Sequence, residues 1–482
     1  MANTFTNFCC LSGGSNLNSG TKTGDTTVPG TGATYTSTNG NWNGSTIFTP
    51  TDGSTPASSI AVGDFASIYL DAATVTVSVS RITAVAAGVN GAITVSAAAR
   101  SGTVPTSGAT GRTIKVGGAW KGPNAAEAFP FGFITAALVN VAGNPVRVNF
   151  KNDATYSMTA AMSDAINGVR VFQGFTSAYG DGGNAIIDGG TSGASYVLLT
   201  MSGNSGNTLG NLIFQNNGAT GSATGVVISG ARTSIRNCVF NSIVGHGLSV
   251  TGTLAIVDEV EVYSCNTSNT SALGGINQGG ASNIYNRCIL HDNSSGSNTH
   301  GMVISVGPAL LTNCIFDTNA GNGILNVTNI SLFVKNCDFY NQSVSGIHNN
   351  ASISINLLIE NCNFLKNTTS GITITTAALV TGAIRNCGFG TGTQANGTDI
   401  SGDSNIFESN NISYASGITP WQNPANGDFR IVLPAAMNTG RGAFTQTQAS
   451  YSGTVGYPDI GAAQHQEIPN RPVTFGVRSR RA

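Results

Sequence analysis

Apolar positions in this chain come in bursts of three to five residues, β-branched or aromatic, set apart by Gly, Asn, Ser and Thr. That spacing reads as short strands joined by tight corners. The bursts also keep phase with one another. Asn313-Cys314-Ile315-Phe316 returns as Asn336-Cys337-Asp338-Phe339, Asn361-Cys362-Asn363-Phe364 and Asn386-Cys387-Gly388-Phe389. Asn237-Cys238-Val239-Phe240 precedes them, Asn211-Leu212-Ile213-Phe214 is a looser copy, and Asn411-Ile412-Ser413-Tyr414 trails. With Val260 and Cys288 placed in the series, the steps are 26, 22, 28, 26, 23, 25, 25 and 25 residues. A Gly followed by an aliphatic residue keeps the same irregular step, from Gly225-Val226 and Gly247-Leu248 to Gly346-Ile347 and Gly371-Ile372. Two markers sharing one irregular period define a repeat of about ten coils.

Within a repeat, strict alternation fails at the Asn. Ile384, Cys387 and Phe389 all point inward only if Asn386 takes a sharp bend between two strands. Asn tolerates the left-handed conformation that costs most residues about 1–2 kcal/mol. Stacked at roughly 4.8 Å per coil, Phe214, Phe240, Val262, Leu290, Phe316, Phe339, Phe364 and Phe389 become one apolar spine, at roughly 1.5–3 kcal/mol per buried side chain. Cys238, Cys288, Cys314, Cys337, Cys362 and Cys387 form a second inward column, whose other places hold Leu212, Val260 and Ile412. Apolar substitutes in that column mark the thiols as packing groups. Parallel Cβ vectors about 4.8 Å apart exceed the roughly 3.5–4.5 Å that a disulfide needs, so free thiols and no metal are expected.

This pattern resembles the right-handed parallel β-helix, the pectate-lyase-like solenoid that phage tailspikes also use, over about residues 145–420. The resemblance implies an all-β fold with the coil spanning 146–420. It leaves activity open, because that fold carries lyases, hydrolases and purely structural proteins.

The flanking segments lack the repeat. Residues 1–33 read as an N-terminal arm holding the Cys9-Cys10 pair, and 34–118 as a small β-sandwich or barrel suited to docking. Thr74–Arg81 alternates with period two, and 92–95 and 113–116 add strands. Residues 119–145 predict a capping helix and linker, with Ala128, Phe129, Phe131, Phe133, Ile134, Ala137 and Leu138 on its apolar face. It would cover the open first coil. Residues 421–482 read as a C-terminal cap, Gly427–Leu433 and Pro458–Ala462, ending in a basic tail at Arg478–Arg481. Composition sharpens this: 63 Gly and 9% charged residues, with 40% hydrophobic content, describe a folded solenoid rather than a disordered chain. A formal net charge of −1 gives no reason to expect nucleic acid. No run suits a membrane span, and the first residues show no export signal.

Two places bear on chemistry. Gly245-His246-Gly247 resembles the Gly-His-Gly element of polygalacturonase-type glycosidases, but Thr191 to Asn241 holds no Asp or Glu to serve as acid and base. The acidic run Asp258, Glu259, Glu261 is followed by Asp292 and Asp317 one and two coils on. Glu259 falls on the Asn-corner position and Arg287 on the same position of the next coil, so a stacked ion pair accounts for both departures from Asn. Asp258 and Glu261, with Asp292 as a further carboxylate, are the candidates for general acid and base on a bound glycan. Exposed aromatics such as Tyr263 or Tyr285 beside them would favour that reading. No cofactor is implied.

Between the Cys and Phe columns, Ile213, Val239, Ile289 and Ile315 point outward, interrupted by Glu261 and followed by Asp338, Asn363 and Gly388. An apolar outward stripe implies burial against another copy or a loop of the same chain. The expectation is a homotrimeric virion protein, made in the host cytoplasm: a tailspike, fibre or capsid-decorating component. Its N-terminal region would meet other virion proteins, with surface polysaccharide as a further candidate partner. A polysaccharide-degrading enzyme (depolymerase, lyase or glycoside hydrolase) and a bacterial surface adhesin are the rival expectations.

Overall fold

The computed structural model describes residues 6–10 and 35–433, apart from 63, 70–76, 102–107, 117–145, 159–160, 165–168, 203–204, 268–272, 294–298, 328–329, 351–354, 376–379 and 403–404. The chain divides into two compact units, Met1–Gly218 with Val226–Cys238, and Ala219–Gly225 with Val239–Ala482.

The first unit holds a closed antiparallel barrel of six strands: Tyr35–Asn43, Ile47–Pro50, Phe65–Tyr69, Val77–Val85, Ile93–Ser101 and Gly108–Val116. Trp42, Phe48, Ile68, Ile82, Ile93 and Ile114 fill it. It also holds the first coils. Strands Val146–Lys151, Arg170–Phe175, Thr208–Gly210 and Ser234–Arg236 stack in parallel as a first sheet. Thr155–Ser157, Ala185–Asp188 and Leu212–Gln215 make a second sheet, and Met162–Asp164, Leu199–Met201 and Val226–Ile228 a third. Thr6–Cys10, expected in an arm outside the coil, instead pairs in parallel with Val146–Phe150 and places Cys9 in the interior. A coil's first edge exposes a row of unpaired backbone groups, and this strand satisfies them. No α-helix occurs among the described residues, and the capping helix expected in 119–145 lies outside them.

The second unit repeats the same three sheets, so the coils form the right-handed parallel β-helix that the sequence pattern resembles. Its second sheet runs from Val239–Asn241 through Asp338–Tyr340 to Ile412–Ser413. Phe240, Val262, Leu290, Phe316, Phe339, Phe364 and Phe389 are in register along it and buried. The rings of Phe316, Phe339 and Phe364 stack at 4.9 and 4.8 Å, within 4° of parallel. The Gly marker follows from this spine. A Cβ on Gly323 would lie 2.6 Å from the Gly346 carbonyl and 2.9 Å from the Phe339 ring, so only glycine lets the third sheet pass.

The corner works as its chemistry requires. Asn211, Asn237, Asn313, Asn336, Asn361 and Asn386 all take φ between 49° and 60°. Their amides also bond along the stack, from Asn361 to Asn336 at 2.6 Å and from Asn336 to Asn313 at 3.3 Å. Every Cys of the inward column is buried and free. Burial pushes the Cys238 thiol up to about 12. The last coil departs from the expected frame. Gly388 pairs with Ile412 and Asn410 carries the left-handed corner, so Asn411, not Ile412, takes the Cys place. Asn411 accepts the Cys387 N–H through Oδ1 at 3.0 Å, a bond that no apolar residue there could make.

Candidate functional site

The acidic run lies on the outside of the second unit, where two neighbouring coils depart from Asn at the corner. Glu259 and Arg287 both take φ of 54° there. Arg287 Nη1 meets Glu259 Oε1 at 2.8 Å, the stacked pair that the repeat implies. The same guanidinium grips Asp258 along one edge, Nη2 to Oδ2 at 2.6 Å and Nε to Oδ1 at 3.0 Å. Asn286 adds a bond to Asp258 Oδ1 at 2.9 Å. Asp258 therefore faces a bidentate cation rather than open solvent.

Glu261 and Asp292 converge on a residue that the sequence reading passed over. His291 Nε2 lies 3.2 Å from Glu261 Oε1, and its Nδ1 lies 2.9 Å from Asp292 Oδ2. Tyr263 stacks on the imidazole at 5.0 Å and 12°. Burial pushes the His291 pKa down, but the hydrogen bonds it donates to Asp292 and Glu261 outweigh it and hold the group up at about 9. At neutral pH it is an imidazolium clamped between two carboxylates. The available signal was the register, since His291 stands one coil on from Tyr263 in a column of outward positions. Tyr285, the other aromatic expected to flank the acids, is buried at 1% exposure. Asp317 is buried next in the His291 column, where its carboxylate accepts the Thr318 hydroxyl at 2.6 Å.

The structure thus places Asp258 on Arg287, and brings Glu261 and Asp292 together on His291. Glycan cleavage by acid and base needs one carboxyl group to donate a proton and another to accept one. Here Asp258 is held edge-on by a guanidinium, and Glu261 and Asp292 share one imidazole. His246, in the Gly-His-Gly element, has its Nδ1 2.9 Å from the Gly274 carbonyl, and burial lowers its pKa. His300, buried nearby, accepts the Asn322 N–H at 3.0 Å, and burial holds its pKa at about 4. No group of three His, Cys, Asp or Glu able to hold a metal occurs among the described residues.

Two further features escaped the sequence. One is a buried amide ladder at the second corner. Asn293 bonds Asn319 at 2.9 Å, Asn319 bonds Gln342 at 3.0 Å, and Asn367 bonds Asn396 at 2.8 Å. Cys265 stands one coil above it, its N–H donating to Asn293. The other is a depression of about 310 Å³ at the last coil, lined by Phe389, Asp399, Ile400, Glu408, Asn411 and Ile412. Burial raises the Asp399 pKa, and the Asn396 and Asn411 amides donate to Asp399 and Glu408.

The outward stripe of the second sheet is partly covered by the chain itself. Tyr414, Trp421, Phe429 and Ile431 fold back over it and bury Tyr340 and Leu365, with Ile315 and Ile412 packed alongside. Trp421 meets the Tyr340 ring edge-on at 5.6 Å. The Tyr414 hydroxyl donates to Asn363, whose amide donates to Asp338 Oδ1 at 2.8 Å. Asp338, Asn363 and Gly388, which continue the outward column, lie buried under this cover. Ile315 thus packs against a segment of its own chain.

No protein-family model matches the sequence, and no curated protein matches it. Among solved structures, pectate lyase Pel9A aligns over 68% of this chain and 90% of its own, at 18% identity and a TM-score of 0.48. The tailspike gp49 of Acinetobacter baumannii bacteriophage Fri1, a capsular polysaccharide depolymerase, aligns over 65% and 66%, at 14% identity and 0.41. The periplasmic alginate epimerase AlgG aligns over 56% and 77%, at 13% identity and 0.35. These are likenesses of fold alone.

Proposed function

We propose that this chain is a structural β-helix protein of a virion, a tailspike, fibre or capsid-decorating component that holds surface polysaccharide without cleaving it. The observation that carries the non-catalytic part is the pairing of the outward carboxylates, Asp258 with Arg287 and Glu261 with His291. The virion part rests on the repeat's resemblance to tailspike coils and on the barrel that precedes the coil in the chain, a module suited to attachment.

The test is to incubate the full chain with capsular and pectic polysaccharides and measure retained glycan, reducing ends and unsaturated sugars. Binding without release is expected, unchanged in Asp258→Asn/Glu261→Gln. Release that this double variant abolishes would instead establish the degrading-enzyme reading. Immunogold labelling of native particles tests the location, and label confined to a bacterial envelope would favour an adhesin.

A further inference from the structure

The second unit carries another outward apolar column, on the first sheet, that no segment among the described residues encloses. Ile256, Ile284, Leu310, Phe333, Leu358, Ala383 and Phe407 stand in strict register on seven successive coils. Ile256, Ile284 and Phe407 are 40%, 38% and 66% exposed, and the four between them are half-buried. At roughly 4.8 Å per coil the column is about 29 Å long. Soluble surfaces seldom leave such a continuous apolar line in water.

We infer that this face is where a second copy of the chain docks. Three features favour that occupant. The flanking column on one side carries Asp258, Lys335, Glu360 and Arg385, and each of these charges already has an ion-pair partner within the chain. Lys335 Nζ sits 2.7 Å from the buried Glu360, Arg385 pairs with the same carboxylate, and Arg287 holds Asp258. Pressing the face against a partner therefore strands no unpaired charge. Phe333 and Phe407 are the aromatic members of the column and stand three coils apart, so the face offers no continuous stacking platform for sugar rings, which sets polysaccharide aside as its ligand. The knobs also repeat at the coil spacing, which another copy reproduces over the full length. Size is adequate: about 29 by 13 Å, with corrugation, gives on the order of 1,000–1,200 Å² for two copies, at the lower limit of a specific interface.

This deepens the virion part of the proposed function and rests on it. Polysaccharide binding and release are read separately, so failure here leaves that part standing. The experiment is sedimentation velocity on the full chain, on Leu310→Lys/Leu358→Lys, and on the milder Ile256→Ser/Phe407→Ser, with circular dichroism as the check on folding. The wild type is expected to run as a multiple of 48.9 kDa at micromolar concentration. Both variant pairs should associate at least about tenfold more weakly with unchanged dichroism. If the Lys pair fails to fold, the Ser pair decides. A wild type that stays at single-chain mass throughout the micromolar range overturns the inference. So does assembly undiminished in the folded variants, or a monomer that the Ser pair destabilises, which would mean the stripe is covered by another part of its own chain.

Discussion

Two outer faces of the same coil, both apolar in part, are finished in different ways. On the second sheet, Trp421, Phe429 and Ile431 return to cover Tyr340 and Leu365, and polar Asp338 and Asn363 are buried with their hydrogen bonds made. On the first sheet, Ile256 through Phe407 stay open, and the ion pairs beside them are closed within the chain. An apolar outward column therefore does not say what buries it. The charges and amides around it tell more: hydrogen bonds that reach into a returning segment mark a cover from the same chain, whereas charge already paired within the chain leaves a face ready for a partner.

The largest test of this contrast compares two aromatic truncations. Trp421→Ala should cost about 3–5 kcal/mol in urea unfolding, because the ring is 1% exposed against Tyr340 and Phe429. Phe407→Ala, at 66% exposure, should cost under about 0.5 kcal/mol in the dissociated chain. Equal costs would erase the distinction. Gly388→Ala probes the cover more gently. Its Cβ would lie 2.2 Å from the Tyr414 hydroxyl and 2.7 Å from Asn363 Oδ1, so the returning segment must shift. A loss of about 1–3 kcal/mol is expected, with faster protease cutting between 414 and 433.

The smallest effect concerns the coil of Ile289, where charge rather than apolar cover finishes the second sheet. His291 is raised from 6.5 to about 9 by Asp292 and Glu261. A group whose folded pKa is raised stabilises fully below its unfolded pKa and loses that contribution as pH climbs through the folded one. Stability should therefore fall between about pH 6.5 and 9. With Asp292 and Glu261 36% and 25% exposed, solvent screening limits the change to about 1–2 kcal/mol. Urea midpoints measured across that range should flatten in Asp292→Asn, and an unchanged slope there would remove the imidazolium clamp from the account.

The repeat itself was legible in the sequence. Asn at the corner, Cys and Phe inside and Gly beneath the rings are local requirements of one coil, restated about every 25 residues, so their period carries its own confirmation. The Glu259–Arg287 pair was legible for the same reason, as two breaks in one column. What the period does not repeat, it could not show. The pairing of Thr6–Cys10 with a strand some 140 residues later, the return of 414–433 over Tyr340 and the slip that sets Asn411 in a Cys place depend on contacts distant in sequence. His291 as an imidazolium was invisible for a related reason. Its charge comes from Glu261 Oε1 at 3.2 Å and Asp292 Oδ2 at 2.9 Å, an arrangement set by stacking one coil on another. The chain determines its coil locally, but the covering of the coil's faces is decided by whichever distant segment fits them, and only the tertiary structure holds that.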